Sequence, residues 1–441
     1  MKLLYSYLQE DRVKKQLYPV VLAVFLISVV VVLYHGNGLF LGDPEKLNND
    51  DVKYINTARV LLNEGTLVYN SGEAPSAFIM PGLPLLLSGF MAVFGQEQGG
   101  VTAFRIFQSV LQAASLMLIY LLSRYTFSNH KVAMLGVIIA ALYIPDYFTS
   151  GSILTESSFR TVILLLLCAM ITAIHTKKTR WYIAVGLLTA AAAYLKPQAS
   201  LFPCMLLFIW LAHRYTFKEI VRFTAAIVGS YILLLIPWWV RNLLTFGEFI
   251  LFTSSAGSPF LLGTMISYEL PPAGFFTAYP QYDPKTVFEG SDAAAIQKGM
   301  DILKYGFTVQ PLTYLYHYSI GRFEALYLVP FYLKDLFSIP KPFVQIMQQV
   351  IVYTGLAGIV WASVRKVGKS MLPLLLLLIY FTLIHLPFVA MSRYGYPTSI
   401  VFILFSGYAF MQLYGAITNK PETNKEESAH AQGTRHHSGL Q

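Results

Sequence analysis

The chain has 441 residues, of which 55% are hydrophobic and 12% are charged, and its mean hydropathy is +0.54. A soluble globular domain has about 25% charged residues, so this composition excludes a water-soluble protein and predicts an integral membrane protein. The formal net charge of +9 favours contact with anionic lipids of the cytoplasmic leaflet. No basic and aromatic stretch forms a soluble patch, so nucleic acid is not an expected partner.

Ten apolar runs follow one another, each near the roughly 20 residues that a helix needs to cross a bilayer. They lie at about 16–35, 102–123, 131–149, 156–176, 181–195, 198–213, 222–240, 346–363, 370–390 and 394–417. These runs predict an all-α polytopic membrane protein with about ten transmembrane helices. The polar tail at 418–441 is predicted to be a disordered cytoplasmic segment, which leaves 1–417 as one transmembrane domain.

Lysine and arginine collect at the start of the chain and in every second connection, at about 124–131, 177–180, 214–222 and 365–369. Short basic connections stay in the cytoplasm, so the alternation places the start of the chain inside. Four segments then lie outside: the first loop at 36–101, the turn near 145–156, the long loop at 241–345 and the SRYGYP turn. We therefore expect a multi-pass protein of the bacterial cytoplasmic membrane, with its functional site on the extracytoplasmic face.

The apolar stretch MPGLPLLLSGFMAVFG, within the first loop, must not cross the membrane if this alternation is to hold. From Gly82 to Gly95 it has only 14 residues, which is too short for a comfortable span. We therefore predict interfacial helices in the first outer loop.

Asp50 and Asp51 head a short amphipathic pattern in the first loop, DDVKYINTARVLLNEG, which ends at Gly65. Residues recur at helical spacing and glycine is a common helix stop, so Asp50 is expected in or next to the first turn of a helix. Acids just outside a membrane suggest chemistry on a lipid-borne substrate. The alternative is structural, with Asn48, Asn49 or Asp50 capping the helix.

Glu156 begins an apolar run beside the second outer loop, PDYFTSGSILTE, and Arg160 follows four residues later on the same helical face. Ionisable residues at membrane depth are costly and are therefore functional candidates. We predict that Glu156 is a second catalytic acid and that Arg160 contacts the substrate. The alternative is that Glu156 and Arg160 simply pair with each other.

Four cations lie at the predicted outer boundary, where the charge rule does not require them: Arg105, Lys196, Arg241 and Arg393. A phosphate group in the outer leaflet would explain them, because arginine offers forked donors and lysine a point charge to phosphoryl oxygens. We therefore predict that these residues bind the substrate, together with Tyr394 beside Arg393. The alternative for each cation is a side chain that extends to the lipid headgroups.

These acids and cations fit transfer from a lipid phosphate better than hydrolysis. When a sugar leaves a lipid phosphate, the phosphate departs without a general acid, and cations stabilise its charge. One carboxylate then suffices as the base that takes a proton from the acceptor hydroxyl. A glycosidase instead needs two carboxylates, one of which protonates the leaving oxygen.

Several segments resemble, in order and spacing, those of membrane glycosyltransferases with the GT-C fold, specifically the protein mannosyltransferase and aminoarabinose transferase-like superfamily. The segments are DDVKYINTARVLLNEG with MPGLPLLL, FRIFQSVLQ, LTESSF, YLKPQ, PWWVRNLLTFGEF with PFLLGT, and SRYGYP. The resemblance covers the chain from the first apolar run to about residue 400.

The resemblance implies a catalytic aspartate in the first outer loop, and Asp50, four residues before Tyr54, is the position that matches it. Asp51 is the second choice, and Tyr54 is a predicted substrate contact. By the same resemblance, Glu156 occupies the acidic position of the second outer loop and Arg393 contacts the phosphate.

One departure from the resemblance concerns the residues before Pro81. Related enzymes often carry a basic residue there, whereas this chain has the apolar residues 78–80, so phosphate binding must rest on other cations. No histidine and cysteine cluster has the spacing of a zinc site. A divalent metal ion held between Asp50 and Glu156 is left open as a cofactor.

We therefore expect an inverting glycosyltransferase that takes a sugar from a polyprenyl phosphate and passes it to an unidentified lipid, glycan or protein acceptor. Two alternatives stay open. A lipid-linked glycan flippase or transporter would show internal repeats and broken helices, and the sequence has no convincing repeat. A glycan ligase or polymerase would use a lipid-diphosphate donor, and the sequence does not separate the two donors.

Overall fold

The computed structural model describes residues 2–70, 74–266 and 268–418, and within these ranges the chain forms helices without any β-strand. The α-helices are α1 (Lys2–Gln9), α2 (Asp11–His35), α3 (Asp50–Glu64), α4 (Gly82–Phe94), α5 (Gln98–Phe127), α6 (His130–Ala141), α7 (Ile144–Gly151), α8 (Glu156–Thr176), α9 (Thr179–Leu195), α10 (Leu206–Ala212), α11 (Phe217–Phe246), α12 (Gly257–Gly263), α13 (Phe275–Ala278), α14 (Asp292–Val309), α15 (Pro311–Tyr316), α16 (Lys341–Val364), α17 (Leu372–His385), α18 (Ser392–Gly395) and α19 (Ser399–Thr418). Apart from Thr418, the predicted tail lies outside the described residues.

Within the described ranges, six segments are long and apolar enough to cross a membrane, and α6 with α7 would make a seventh, bent by 54°. The six segments are Asp11–Leu39, α5, α8, α11, α16 and Ser392–Thr418. Seven of the ten predicted apolar runs fall on these six segments or on α6 with α7, and the other three fall on α9 and on the shorter apolar stretches Pro197–Ala212 and Lys369–His385. The all-helical membrane architecture is confirmed, while the number of crossings stays a prediction.

Local sequence signals set the helix ends. The Thr216 side chain and the Glu219 side chain each accept from the other residue's backbone N–H, a capping box that begins α11. Gly247 ends the same helix with a φ of 70°, in the left-handed region that suits glycine. Gly65 ends α3 in the same way, so the helix predicted from Asp50 to this glycine is confirmed.

Helix α8 lies at the centre of the bundle and α11 at its lipid-facing side. In the most apolar window of each helix, 89% of α8 residues but only 17% of α11 residues are buried. Elsewhere, α16 and α19 pack with their backbones close together. A Cβ added at Gly355 would lie 2.6 Å from the carbonyl oxygen of Phe402, and one added at Gly358 would lie 2.1 Å from that of Phe405. Small residues at such crossings let membrane helices pack closely.

One end of the bundle carries the first loop and the long loop, and we call it the loop face, defined by residues 36–97 and 247–340. Within the long loop, Asp292–Val309 forms α14, while PPAGFFTAYPQYDP contains only the four-residue α13. The apolar stretch at 82–95 forms α4, as predicted. The backbone N–H of Val389 donates to the carbonyl of Pro259 at 2.8 Å, which joins the long loop to the segment before α18.

Candidate active site

Asp50 is the first residue of α3, and its carboxylate is held by two donors from distant parts of the chain. The Asn49 side chain accepts from the Asp50 backbone N–H at 2.7 Å, so Asn49 caps the helix and leaves the Asp50 side chain free for other contacts. The Asp50 Oδ2 accepts from Arg393 Nη1 at 2.7 Å, and Oδ1 accepts from the Tyr69 hydroxyl at 2.6 Å. The side chain remains 36% exposed, so a substrate can reach it.

Glu156 is the first residue of α8 and is completely buried. Its Oε1 atom accepts from Lys196 Nζ at 2.9 Å and from Arg393 Nε at 2.8 Å. Lys196 directly follows α9, in an extended conformation that directs it away from that helix. Two cations therefore neutralise a carboxylate that would otherwise be very costly at this depth.

Arg393 joins the two carboxylates into one cluster. Its Nη1 contacts Asp50 and its Nε contacts Glu156, so a single guanidinium fixes the separation of the two acids. With Lys196, the cluster has two formal positive and two formal negative charges. We call these four residues the bridged cluster.

The contacts of Asp50 keep it ionised. Burial alone would raise the pKa of Asp50, but the charge of Arg393 and the hydrogen bonds from Tyr69 and Arg393 outweigh burial and hold the pKa below its usual value. Burial raises the pKa of Tyr69 and of Tyr54, so both hydroxyls stay protonated at neutral pH. Asp50 is therefore an accessible carboxylate in its basic form.

Aromatic rings surround the cluster. Lys196 Nζ lies 5.3 Å from the ring centroid of Tyr394, whose ring stacks on His385 with centroids 5.2 Å apart. The ring centroid of Tyr54 lies 5.7 Å from that of Tyr69, the tyrosine whose hydroxyl donates to Asp50. The structure thus brings together six of the ten predicted site residues, and Tyr69 and His385 are additions that the sequence did not indicate.

Asp51 and Arg105 do not contact the bridged cluster. Asp51 is 1% exposed and accepts from the backbone N–H groups of Leu41 at 2.6 Å and Gly42 at 3.2 Å, so it fixes the chain before α3. Arg105 is equally buried and places its guanidinium 4.8 Å from the ring centroid of Phe40. Both side chains therefore stabilise the start of the first loop.

Arg160 and Arg241 also lie away from the cluster. Arg160 forms an ion pair with Asp146 and donates to the Tyr396 hydroxyl at 2.9 Å, so the alternative pair of Glu156 with Arg160 does not form. Arg241 donates to the carbonyls of Ser76 at 3.0 Å and Leu67 at 3.3 Å. It therefore fastens α11 to the first loop, at the segment that carries Tyr69.

The bridged cluster does not fit a divalent metal ion between its acids. Arg393 donates to both Asp50 and Glu156, and its guanidinium occupies the space that a shared ion would need. The described residues also contain no group of three or more histidine, cysteine, aspartate or glutamate side chains arranged around a common point. A metal cofactor stays an untested hypothesis.

The sequence matches a known family over part of its length. Residues 75–240 match the family model for dolichyl-phosphate-mannose-protein mannosyltransferase. The matched region contains Glu156 and Lys196, whereas Asp50 and Arg393 lie outside it. No curated protein sequence gives a significant match.

Two archaeal structures share the fold. The chain aligns with the apo oligosaccharyltransferase of Archaeoglobus fulgidus at a TM-score of 0.56 and 15% identity, over 93% of this chain and 52% of that one. It also aligns with the oligosaccharyltransferase AglB of the same organism, which was solved with an inhibitory peptide and a dolichol-phosphate. The TM-score is 0.54 and the identity 12%, over 97% of this chain and 53% of that one. The chain thus spans about half the length of these relatives.

A third structure, ArnT from Cupriavidus metallidurans bound to undecaprenyl phosphate, aligns at a TM-score of only 0.41 and 15% identity, over 91% of this chain and 78% of that one. A TM-score this low does not establish a shared fold. The archaeal alignments and the family match confirm the GT-C fold and the predicted resemblance to the protein mannosyltransferase superfamily.

Proposed function

We propose that this GT-C membrane protein transfers a sugar from a polyprenyl phosphate to a hydroxyl group of a lipid, glycan or protein acceptor, with inversion at the anomeric carbon. The observation that carries the proposal is the pairing of an accessible carboxylate, Asp50, with the guanidinium of Arg393 at 2.7 Å. A base for the acceptor and a cation for the departing phosphate are thereby adjacent.

The reaction is a single displacement. Asp50 takes the proton from the acceptor hydroxyl, and the acceptor oxygen attacks the anomeric carbon from the side opposite the phosphate. The bond between that carbon and the phosphate oxygen breaks, and its electron pair stays on the phosphate as the lipid phosphate departs. Because the carbon is attacked once, from the opposite side, its configuration inverts.

The cations stabilise the charge that develops on the leaving phosphate. Arg393 and Lys196 both approach Glu156 Oε1, so the buried carboxylate holds two donors near Asp50 before a substrate arrives. Such preorganised donors act strongly where water is excluded. Glu156, which is completely buried, therefore acts by holding the cations, and Asp50 is the base.

The donor class is supported by chemistry and by one relative. An archaeal neighbour of the same fold was captured with a dolichol-phosphate, which is a polyprenyl phosphate. A monophosphate donor suits a cluster with two cations, one of which already pairs with the base. We further propose that the protein lies in the bacterial cytoplasmic membrane with the loop face outside, and the distribution of basic connections supports this orientation.

Transfer of a whole glycan, as by a ligase or polymerase, is the second candidate, because both archaeal neighbours are oligosaccharyltransferases. In this candidate the donor is a lipid diphosphate. The two candidates differ in their donor. Purified protein in lipid is given the same radiolabelled sugar on a polyprenyl monophosphate and on a diphosphate, with a membrane lipid extract and a peptide library as acceptors. Transfer from the monophosphate alone supports the proposal, whereas transfer from the diphosphate alone supports the second candidate.

A further inference from the structure

A second buried ion pair lies one helical turn below the bridged cluster. Arg160 follows Glu156 by four residues on α8, and Tyr396 follows Arg393 by three residues in the adjoining turn. Arg160 pairs with Asp146 and donates to the Tyr396 hydroxyl at 2.9 Å. The same hydroxyl donates to Asp146 Oδ1 at 2.9 Å.

These three residues, which we call the lower triad, are closed off from solvent. Asp146 is 1% exposed, Arg160 3% and Tyr396 4%. A substrate on the loop face therefore meets the bridged cluster and not the lower triad. Any effect of the lower triad on the reaction must act through other residues.

The lower triad and the bridged cluster use the same two chain segments. Helix α8 supplies Glu156 to one and Arg160 to the other, while the turn after α17 supplies Arg393 to one and Tyr396 to the other. A shift of this turn along α8 would therefore strain both sets of contacts together. The ion pair of Arg393 with Glu156 and the hydrogen bonds of the Tyr396 hydroxyl hold the turn at two points about one helical turn apart.

The turn consists of the four-residue α18 and a three-residue 3-10 turn at Tyr396–Thr398, and it leads directly into α19. Its contacts with α8 therefore fix where this end of the last apolar segment lies. Charge-paired hydrogen bonds buried at low dielectric are directional, and a misplacement of about 1 Å at a reacting centre costs roughly 100-fold in rate.

We propose that the lower triad is a positioning device that holds Arg393 against Glu156. Its consequence for catalysis rests on the proposed function, while its effect on the geometry of the cluster does not. Asp146, Arg160 and Tyr396 are positioning residues. Arg160, predicted from the sequence to contact the substrate, acts in this proposal through Arg393.

The first test uses Tyr396→Phe, which removes the bridging hydroxyl and keeps the ring beneath the Arg160 guanidinium. Its matched control is Tyr182→Phe, in which a fully buried tyrosine loses a hydrogen bond of 3.1 Å to the Tyr215 hydroxyl near the opposite end of the bundle. We expect kcat for transfer to fall at least 10-fold in Tyr396→Phe and less than 2-fold in Tyr182→Phe. Equal kcat values in the two variants would overturn the proposal.

The second test needs no transfer activity. Thermal stability is measured for Tyr396→Phe and Arg393→Gln, singly and together, and for Tyr182→Phe with Arg393→Gln. We expect the melting-temperature losses of the first pair to be non-additive because the residues share one supported turn, and those of the control pair to add. Additive losses in both pairs would overturn the proposal.

These tests separate the two proposals. Absence of transfer by the wild-type protein from every donor counts against the proposed function, and the stability cycle then decides the positioning role alone. If Tyr396→Phe does not fold, Asp146→Asn replaces it, since the amide keeps the size of the side chain but removes the negative charge that pairs with Arg160. The same reduction in kcat and the same non-additivity with Arg393→Gln are expected.

Discussion

Arg393 donates to Asp50 at 2.7 Å, although the two residues lie 343 positions apart in the chain. The contact closes the bundle at its loop face, because Asp50 belongs to the first loop and Arg393 to the turn before the last helix. The predicted base and the predicted phosphate contact are thus direct partners.

Tyr69→Phe should raise the pKa of Asp50. The Tyr69 hydroxyl donates to the ionised carboxylate and helps to keep its pKa low, so removing this donor favours the protonated form. Since the base must be ionised, the acidic limb of the kcat/KM profile should move to higher pH. The profile of radiolabel transfer against pH measures this shift.

The control for that prediction is Tyr282→Phe. The Tyr282 hydroxyl donates to Asp301 Oδ2 at 2.6 Å in the long loop, so the variant loses the same kind of hydrogen bond away from the cluster. Its acidic limb should stay in place. An unshifted limb in Tyr69→Phe would show that Asp50 does not set the pH dependence.

Glu156→Gln should destabilise the protein by about 3 kcal/mol, because it leaves the buried Lys196 without its carboxylate partner and Arg393 with Asp50 alone. Glu97→Gln is the control, since Glu97 pairs with Arg59 at the surface at 3.4 Å and should contribute less than about 1 kcal/mol. Thermal unfolding in one detergent compares the two variants. Equal losses would mean that Lys196 and Arg393 do not depend on Glu156.

Arg393→Lys should lower kcat/KM by roughly 100-fold, even though the charge is kept. One ammonium group cannot reproduce the two contacts that the guanidinium makes with Asp50 and Glu156. Arg59→Lys, at an exposed ion pair, should leave kcat/KM unchanged. Wild-type kinetics in Arg393→Lys would rule out the bridging role.

Gly395→Ala should destabilise the protein by about 1–3 kcal/mol and reduce transfer, because its Cβ would lie 2.0 Å from the carbonyl oxygen of Leu326. The turn that carries Arg393 would have to move. Gly229→Ala in α11 has open space around its Cβ and should be neutral or stabilising by up to about 1 kcal/mol. Thermal unfolding and transfer rates of both variants check this prediction.

The individual cluster residues could be recognised from the sequence because each is an ionisable group at an unusual place. Their pairing could not be recognised, since Glu156 and Arg393 are 237 residues apart and no local pattern joins them. Helical spacing suggested that Glu156 pairs with Arg160, but contacts between distant segments gave Arg160 a different partner, Asp146. The local periodicity of the sequence does not reveal which distant residues pair in the folded protein.

The helices were more predictable than the site. The apolar runs and the stop at Gly65 are local properties of the chain, and they were sufficient to place α3 and the long helices. Tyr69 had no such signal, because it lies in a polar loop and its role depends on Arg241, which fastens that loop to α11. Asp146 had a usable signal, as an acid within the apolar run predicted at 131–149.

The central claim is that Asp50 is the base, and the most direct measurement compares Asp50→Asn with Asp51→Asn in purified protein and lipid. Transfer of sugar from radiolabelled polyprenyl phosphate and binding of the carrier are both measured. We predict that Asp50→Asn loses at least about 100-fold in transfer rate and still binds the carrier, whereas Asp51→Asn, whose side chain holds the loop, loses less. Undiminished transfer by Asp50→Asn would contradict the account, as would a wild-type protein that moves the carrier across the bilayer without releasing its sugar.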